Sequence, residues 1–281
     1  MQQHPNAEVI APRFMYGTAW KENRTKDLTL MALAAGCRAI DTANQRKHYF
    51  EAGVGEALKI AYAAGTVRRE QLFLQTKFTY QRGQDHRLPY DPSKPLDVQV
   101  RQSFASSQEH LGTDLIDSYV LHGPATGDGM TDADRLVWRT MESLQEANKT
   151  RHLGISNVNF EQLKIFYDFA KIKPSFVQNR CFAATRWDYD IREFCFERHI
   201  TYQGFSLLTA NVDHLRHPHI AKLAHQYHCT IAQLIFRFSQ QVSMLPLTGT
   251  SSQEHLLSDL ACSGFDISES DLEAIETIAF R

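Results

Sequence analysis

This chain of 281 residues carries no surplus of positive charge. Its 30 lysines and arginines against 32 acids leave a net charge of −2, which removes the electrostatic footprint of a nucleic-acid binder. No apolar run approaches the ~20 residues needed to cross a bilayer, so no membrane partner is expected. The opening stretch, MQQHPNAEVIAPRF, has no basic segment leading into an apolar core; it does not read as a secretory signal, and the expected location is cytoplasmic. Cysteine is scarce too: Cys37, Cys181, Cys195, Cys229 and Cys262 are widely spaced, form no CxxC pair and are odd in number. That excludes a complete disulfide framework and leaves reduced thiols, buried or incidental. No long Gly/Ser- or Pro-rich linker, charge block or short-period repeat interrupts the sequence, so residues 1–281 read as a single domain.

What the sequence does have is apolar material, 43% of its residues, arranged in alternating short runs and helical periods. The runs at Phe14 to Thr18, Arg38 to Asp41, Leu72 to Lys77, Leu115 to His122, His152 to Ser156, Phe176 to Gln178, Ile200 to Phe205 and Met244 to Leu247 suit strands buried on both faces. Between them, sets such as Leu96, Val100, Phe104 and Leu111, or Val137, Met141 and Leu144, repeat at helical spacing. Thr131 before Asp134, Asn159 before Gln162 and Ser251 before Glu254 approximate capping boxes, which satisfy the free N–H groups of a helix start.

Eight such βα units predict an α/β fold, a (β/α)8 TIM barrel. An open doubly wound sheet would carry GxGxxG after its first strand, where this chain has Met15-Tyr16-Gly17-Thr18-Ala19-Trp20. In a barrel every strand's carboxyl end meets at one rim. The residues there form a polar ring: Thr18, Asp41, Lys77, His122, Ser156 with Asn157, Gln178, Ser206, and Thr250 beyond the eighth strand.

From about Phe14 onward the chain resembles the aldo-keto reductase family. The matching stretches are Gly17-Thr18, Asp41-Thr42-Ala43 followed by Tyr49 and Gly53-Val54-Gly55, Thr76-Lys77-Phe78, Leu121-His122 with Pro124, Gly154-Ile155-Ser156-Asn157, Gln178-Asn179, and Gly249-Thr250-Ser251. The resemblance implies reduction of an aldehyde or ketone by hydride from NADPH or NADH, with a catalytic tetrad of Asp41, Tyr49, Lys77 and His122. A carbonyl that accepts hydride becomes an alkoxide and needs an acid beside it. Tyr49 would donate the proton, Lys77 would lower its pKa, Asp41 would keep Lys77 charged, and His122 would orient the carbonyl. Arg46 fills the usual spacing from Asp41 but cannot act as an acid at neutral pH, so Tyr49 is preferred despite the longer loop.

The same resemblance implies a cofactor site. Gly17 and Thr18 belong to its opening motif, Ser156, Asn157 and Gln178 would hold the nicotinamide carboxamide, Phe205 would stack under the ring, and Ser206 and Leu207 would lie near the pyrophosphate. Gly249, Thr250, Ser251 and His255 form the eighth loop, where many members place a lysine and an arginine on the 2′-phosphate of NADP. With Gly249 and His255 there instead, weak discrimination between NADPH and NADH is expected. Trp20, Tyr80 and Trp187 are expected to line the substrate pocket. The chain's end at Arg281, without the longer members' C-terminal loop, suggests an open pocket.

His214, His217 and His219 flank Arg216 and Pro218 and read as an exposed turn, so no metal site is assigned. Two other functions fit the same barrel. One is a non-catalytic nicotinamide-binding regulatory module, which an intact tetrad disfavours. The other is a Schiff-base lyase using Lys77.

Overall fold

The computed structural model describes residues 12–281; residues 1–11, on which most of the secretion reading rests, lie outside them. Eight parallel strands close into a barrel in sequence order: β1 Met15–Gly17, β2 Ala39–Asp41, β3 Phe73–Phe78, β4 Ile116–Leu121, β5 Thr150–Ser156, β6 Phe176–Arg180, β7 Thr201–Phe205 and β8 Met244–Thr248. Closure is through β1 and β8, with Met15 opposite Leu247 and Tyr16 opposite Thr248. The described helices are α1 Thr25–Ala34, α2 Glu51–Ala63, α3 Leu96–Leu111, α4 Asp132–Glu146, α5 Phe160–Phe169, α6 Tyr189–Glu197, α7 Val212–Leu215, α8 Pro218–Gln226, α9 Ile231–Gln241, α10 Gln253–Leu260 and α11 Glu269–Glu276. None is long and apolar enough to cross a membrane.

The helix starts follow local chemistry. Thr131 and Asn159 accept from the backbone of Asp134 and Gln162 and receive their side chains in return, completing two capping boxes. The third start lies one residue later than the sequence suggests. Ser252, not Ser251, accepts from the His255 N–H, because Thr250 Oγ1 takes the Ser252 N–H and extends the loop. On α4, Val137, Met141 and Leu144 are buried against the barrel, each worth roughly 1.5–3 kcal/mol of removed apolar surface. Gly55 on α2 is dictated by packing on α3: a Cβ there would sit 1.7 Å from the His110 carbonyl oxygen.

Strand alternation decides what fills the barrel. Toward the amino ends of the strands, Met15, Ala39, Phe73, Phe176 and Leu245 form an apolar plug, joined by Leu247 near the end of β8. Toward the carboxyl ends, polar side chains take over: Asp41, Gln75, Lys77, Gln178 and Gln203 are all buried there. The five cysteines are free, and all but Cys229 are buried.

Candidate active site

Asp41 closes β2 and Lys77 lies one residue before the end of β3. Their side chains meet inside the barrel, Lys77 Nζ to Asp41 Oδ1 at 2.6 Å, both almost wholly removed from water. Lys77 also donates to the Thr42 carbonyl at 2.8 Å. Desolvation lowers the Lys77 pKa and the Asp41 carboxylate works against that fall. Asp41 Oδ1 takes further hydrogen bonds from Gln75 at 2.8 Å and Gln178 at 3.1 Å. Gln203 Oε1 accepts from both glutamines, at 2.8 and 2.9 Å. Gln75 and Gln203 thus brace the carboxylate from below, a role the sequence reading missed although strand alternation places both on the inner face.

Tyr49 reaches this pair from the longer β2–α2 loop. The carbonyl of Gln45 accepts from the N–H of His48 and of Tyr49, at 3.2 and 3.0 Å, so the extra residues coil into one turn and deliver Tyr49 to the barrel mouth. Lys77 Nζ lies 5.3 Å from the Tyr49 ring centroid, and the His122 ring packs edge-on at 5.9 Å. Arg46 turns away and pairs with Glu22 at 3.3 Å. Burial raises the Tyr49 pKa well above its ordinary value, and the Asp41 carboxylate adds to the rise. This is opposite to the lowering expected from Lys77: at 2.6 Å from Asp41 the ammonium is already matched by a carboxylate, and removal from water dominates. The phenol is therefore held in the protonated form.

His122 stands just past β4. Burial and the positive charge of Lys77 push its pKa down to about 3, so its ring is neutral throughout the physiological range. The Thr79 hydroxyl lies 2.7 Å from its Nδ1; a hydroxyl donating there leaves the ring hydrogen on Nε2. Thr79 is a further site residue that no motif announced.

A cavity of about 860 Å³ opens over this cluster and runs outward between the ends of β1, β7 and β8. Asp41, Tyr49, His122, Ser156, Gln178 and Trp20 line its inner part; Phe205, Ser206, Leu207, Gly249, Thr250, Ser251 and His255 line the arm, and Gly17 the base. Both amide hydrogens of Gln178 are committed to Asp41 and Gln203, leaving its Oε1 as the free group. Trp20, 69% exposed, stacks on His48 with centroids 4.0 Å apart.

Other sequence candidates lie elsewhere. Trp187 is fully buried, donates to the Ile275 carbonyl at 3.0 Å and packs on Phe238; left-handed backbone at Arg186, Trp187 and Asp188 turns its indole away from the mouth. Tyr80 is likewise no pocket wall, because its hydroxyl is tied to Asp134 at 2.9 Å and its ring to Phe78. Thr18 is fully buried with its hydroxyl on the Asp41 carbonyl, so it fixes β1 against β2 and does not line the cavity. Asn157 is exposed and spends its amide hydrogens on the His122 carbonyl and Ser156 Oγ, joining the ends of β4 and β5. Lys77 is also absent from the cavity wall, being fully buried and hydrogen-bonded to Asp41 and to the Thr42 carbonyl. His217 caps α8, its Nδ1 accepting from the His219 N–H at 3.2 Å.

The sequence pattern of the aldo/keto reductase family matches residues 14–279. An uncharacterized oxidoreductase of Caenorhabditis elegans is 29% identical, over 96% of this chain and 79% of that protein. Aldose reductase B of Dictyostelium discoideum is 24% identical, over 92% and 85%. Among solved structures, an aldo-keto reductase from a Medee basin deep-sea metagenome library superposes with a TM-score of 0.82 at 24% identity, covering 97% of this chain and 93% of its own. An aldo-keto reductase complexed with NADPH gives 0.80 at 20% identity, with coverage of 95% and 84%.

Proposed function

Because this chain belongs to the aldo/keto reductase family, a family of oxidoreductases, we propose that it reduces an aldehyde or ketone with hydride from NADPH or NADH. The observation that carries this reading is the convergence of Tyr49, His122 and Asp41 on one cavity wall with Lys77 locked directly behind them. The donor set fits a reduced dinucleotide. A hydroxyl at Ser156 and the unpaired Oε1 of Gln178 line the inner wall, and the arm runs on past the flat aromatic face of Phe205 and Gly249 to His255. Bound there, the nicotinamide would supply the hydride.

The protein's own task is to place the carbonyl and manage one proton. The neutral His122, with Nδ1 held by Thr79, presents an Nε2 hydrogen to the carbonyl oxygen and fixes which face is turned inward. Tyr49 carries the proton the new alkoxide needs; burial keeps that proton on the oxygen until negative charge develops beside it. Burial and Asp41 raise the cost of forming a phenolate there, and the Lys77 ammonium, 5.3 Å from the ring centroid, works against that rise. Trp20 and His48 form an aromatic rim suited to apolar or aromatic carbonyl compounds.

The test is nicotinamide absorbance followed against a panel of aldehydes, ketones and sugars, with each reduced cofactor. Turnover of at least one carbonyl is expected. Binding of the dinucleotide with no turnover of any of them would replace this reading with that of a nicotinamide-binding module.

A further inference from the structure

The arm of the cavity has no lysine or arginine on the eighth loop, yet it is not without cations. Lys21 and Arg24, both in the segment after β1, line the cavity and are its only lysine and arginine among the described residues. Lys21 is 7% exposed and its Nζ donates to the Gly249 carbonyl at 2.6 Å. No carboxylate pairs with Lys21 or Arg24 among the described residues. The acids nearby are engaged: Glu22 pairs with Arg46, Asp41 with Lys77, and Asp259 accepts from the Thr248 hydroxyl at 2.9 Å, with burial raising its pKa to about 6.

Tyr16 ties this cationic wall to the eighth loop. Its hydroxyl donates to the Thr250 carbonyl at 2.9 Å, its ring lies 5.1 Å beneath Lys21 Nζ, and the charge of Arg24 is felt at its hydroxyl. Gly249 packs against the same group: a Cβ there would lie 3.9 Å from Lys21 Nζ, in ordinary contact. Two like charges that repel each other from one loop, one buried and neither paired with an acid among the described residues, mark a surface built for an anion.

We propose that Lys21 and Arg24 make the first loop the phosphate-binding wall of the cofactor arm, with Arg24 gripping the 2′-phosphate that distinguishes NADPH from NADH. This rests on the reductase reading and reverses the weak discrimination expected from the eighth loop alone: the charge stands on the first loop. Arg24 is exposed at the arm's edge, where a guanidinium can fork onto a phosphate. Lys21, anchored on Gly249, keeps the wall positive behind it.

Fluorescence titration of the protein with NADPH and with NADH, for wild type and Arg24→Met, tests this. Wild type is expected to bind NADPH at least tenfold more tightly. Arg24→Met should lose that preference, and Arg24→Met/His255→Arg should regain it by returning the charge to the eighth loop. A wild-type ratio below tenfold, a ratio that survives Arg24→Met, or no recovery in the double variant overturns the proposal. If neither dinucleotide binds, the reductase reading falls with it; if both bind without preference, this proposal falls alone.

Discussion

Two lysines are buried along the same cavity and live by opposite rules. Lys77 sits at the bottom of the barrel mouth, 2.6 Å from a carboxylate that is itself held by two glutamines. Lys21 sits in the arm, against a backbone carbonyl and an aromatic ring, and no carboxylate pairs with it among the described residues. The first is a finished ion pair, whose charges are spent on each other beside the Tyr49 ring. The second is half of one, and desolvation and the neighbouring Arg24 bring its pKa down from 10.5 to about 8. A buried charge with its partner in the fold is architecture; a buried charge without one is a place for a ligand.

The contrast can be broken most severely at Lys77. Lys77→Met leaves the Asp41 carboxylate uncompensated inside the barrel, which should cost about 3–5 kcal/mol of stability, seen as a lower urea midpoint. It should also reduce turnover by roughly 10²–10⁴, the range for a lost acid catalyst. Tyr49→Phe should match that loss of turnover, again roughly 10²–10⁴, but with cofactor affinity and urea midpoint unchanged. Near-wild-type turnover in Tyr49→Phe would move the proton donor elsewhere, to His48 first.

At Lys21 the sign should invert. Lys21→Met removes a desolvated, unmatched charge and should stabilise the cofactor-free protein by about 1 kcal/mol at pH 7, the relieved desolvation less one lost hydrogen bond. The pH dependence follows from the same shift. Because the folded-state pKa of about 8 lies below the ordinary 10.5, the unfolded chain binds more protons between those values, and wild-type stability should rise with pH across that window. Urea midpoints from pH 7 to pH 10 should show the rise in wild type and a flatter profile in Lys21→Met; a destabilised variant would mean the Gly249 hydrogen bond outweighs the desolvation.

The gentlest intervention makes the arm resemble the mouth. Arg46→Met releases Glu22 from an exposed ion pair, itself worth no more than about 1 kcal/mol, and frees that carboxylate to approach Lys21. NADPH affinity should then fall about two- to threefold in the same titration while turnover at saturation stays put. An unchanged affinity would show that Glu22 cannot reach the wall.

Most of the barrel was legible because buried parallel strands write themselves as apolar runs, and the polar residue ending each run marks the rim. The legibility failed where a side chain's direction depends on something off the strand. Trp187 follows β6 closely enough to suggest a pocket wall, but three consecutive left-handed residues, which no propensity announces, send it into the core. Tyr80 was lost to Asp134, a partner on α4 that only the fold brings near. The Tyr49 acidity was misjudged because a nearby ammonium was weighed without the depth of burial. Lys21 was missed for a related reason: a lysine in a loop reads as solvated until β1 and β8 close. The missing cations at Gly249 and His255 were the one clue in the sequence, and they say that charge is absent from one wall without saying where it has gone.

The plug formed by Met15, Ala39, Phe73, Phe176, Leu245 and Leu247 sets the traffic of the whole reaction. On the proposed reading, this apolar floor makes the cavity mouth the route by which the proton that Tyr49 would give up is restored, the same opening that would admit carbonyl and release alcohol. Supply and exhaust share one door. Whatever occupies the rim beside Trp20 and His48 would then govern how fast the acid is reloaded as well as which substrate enters.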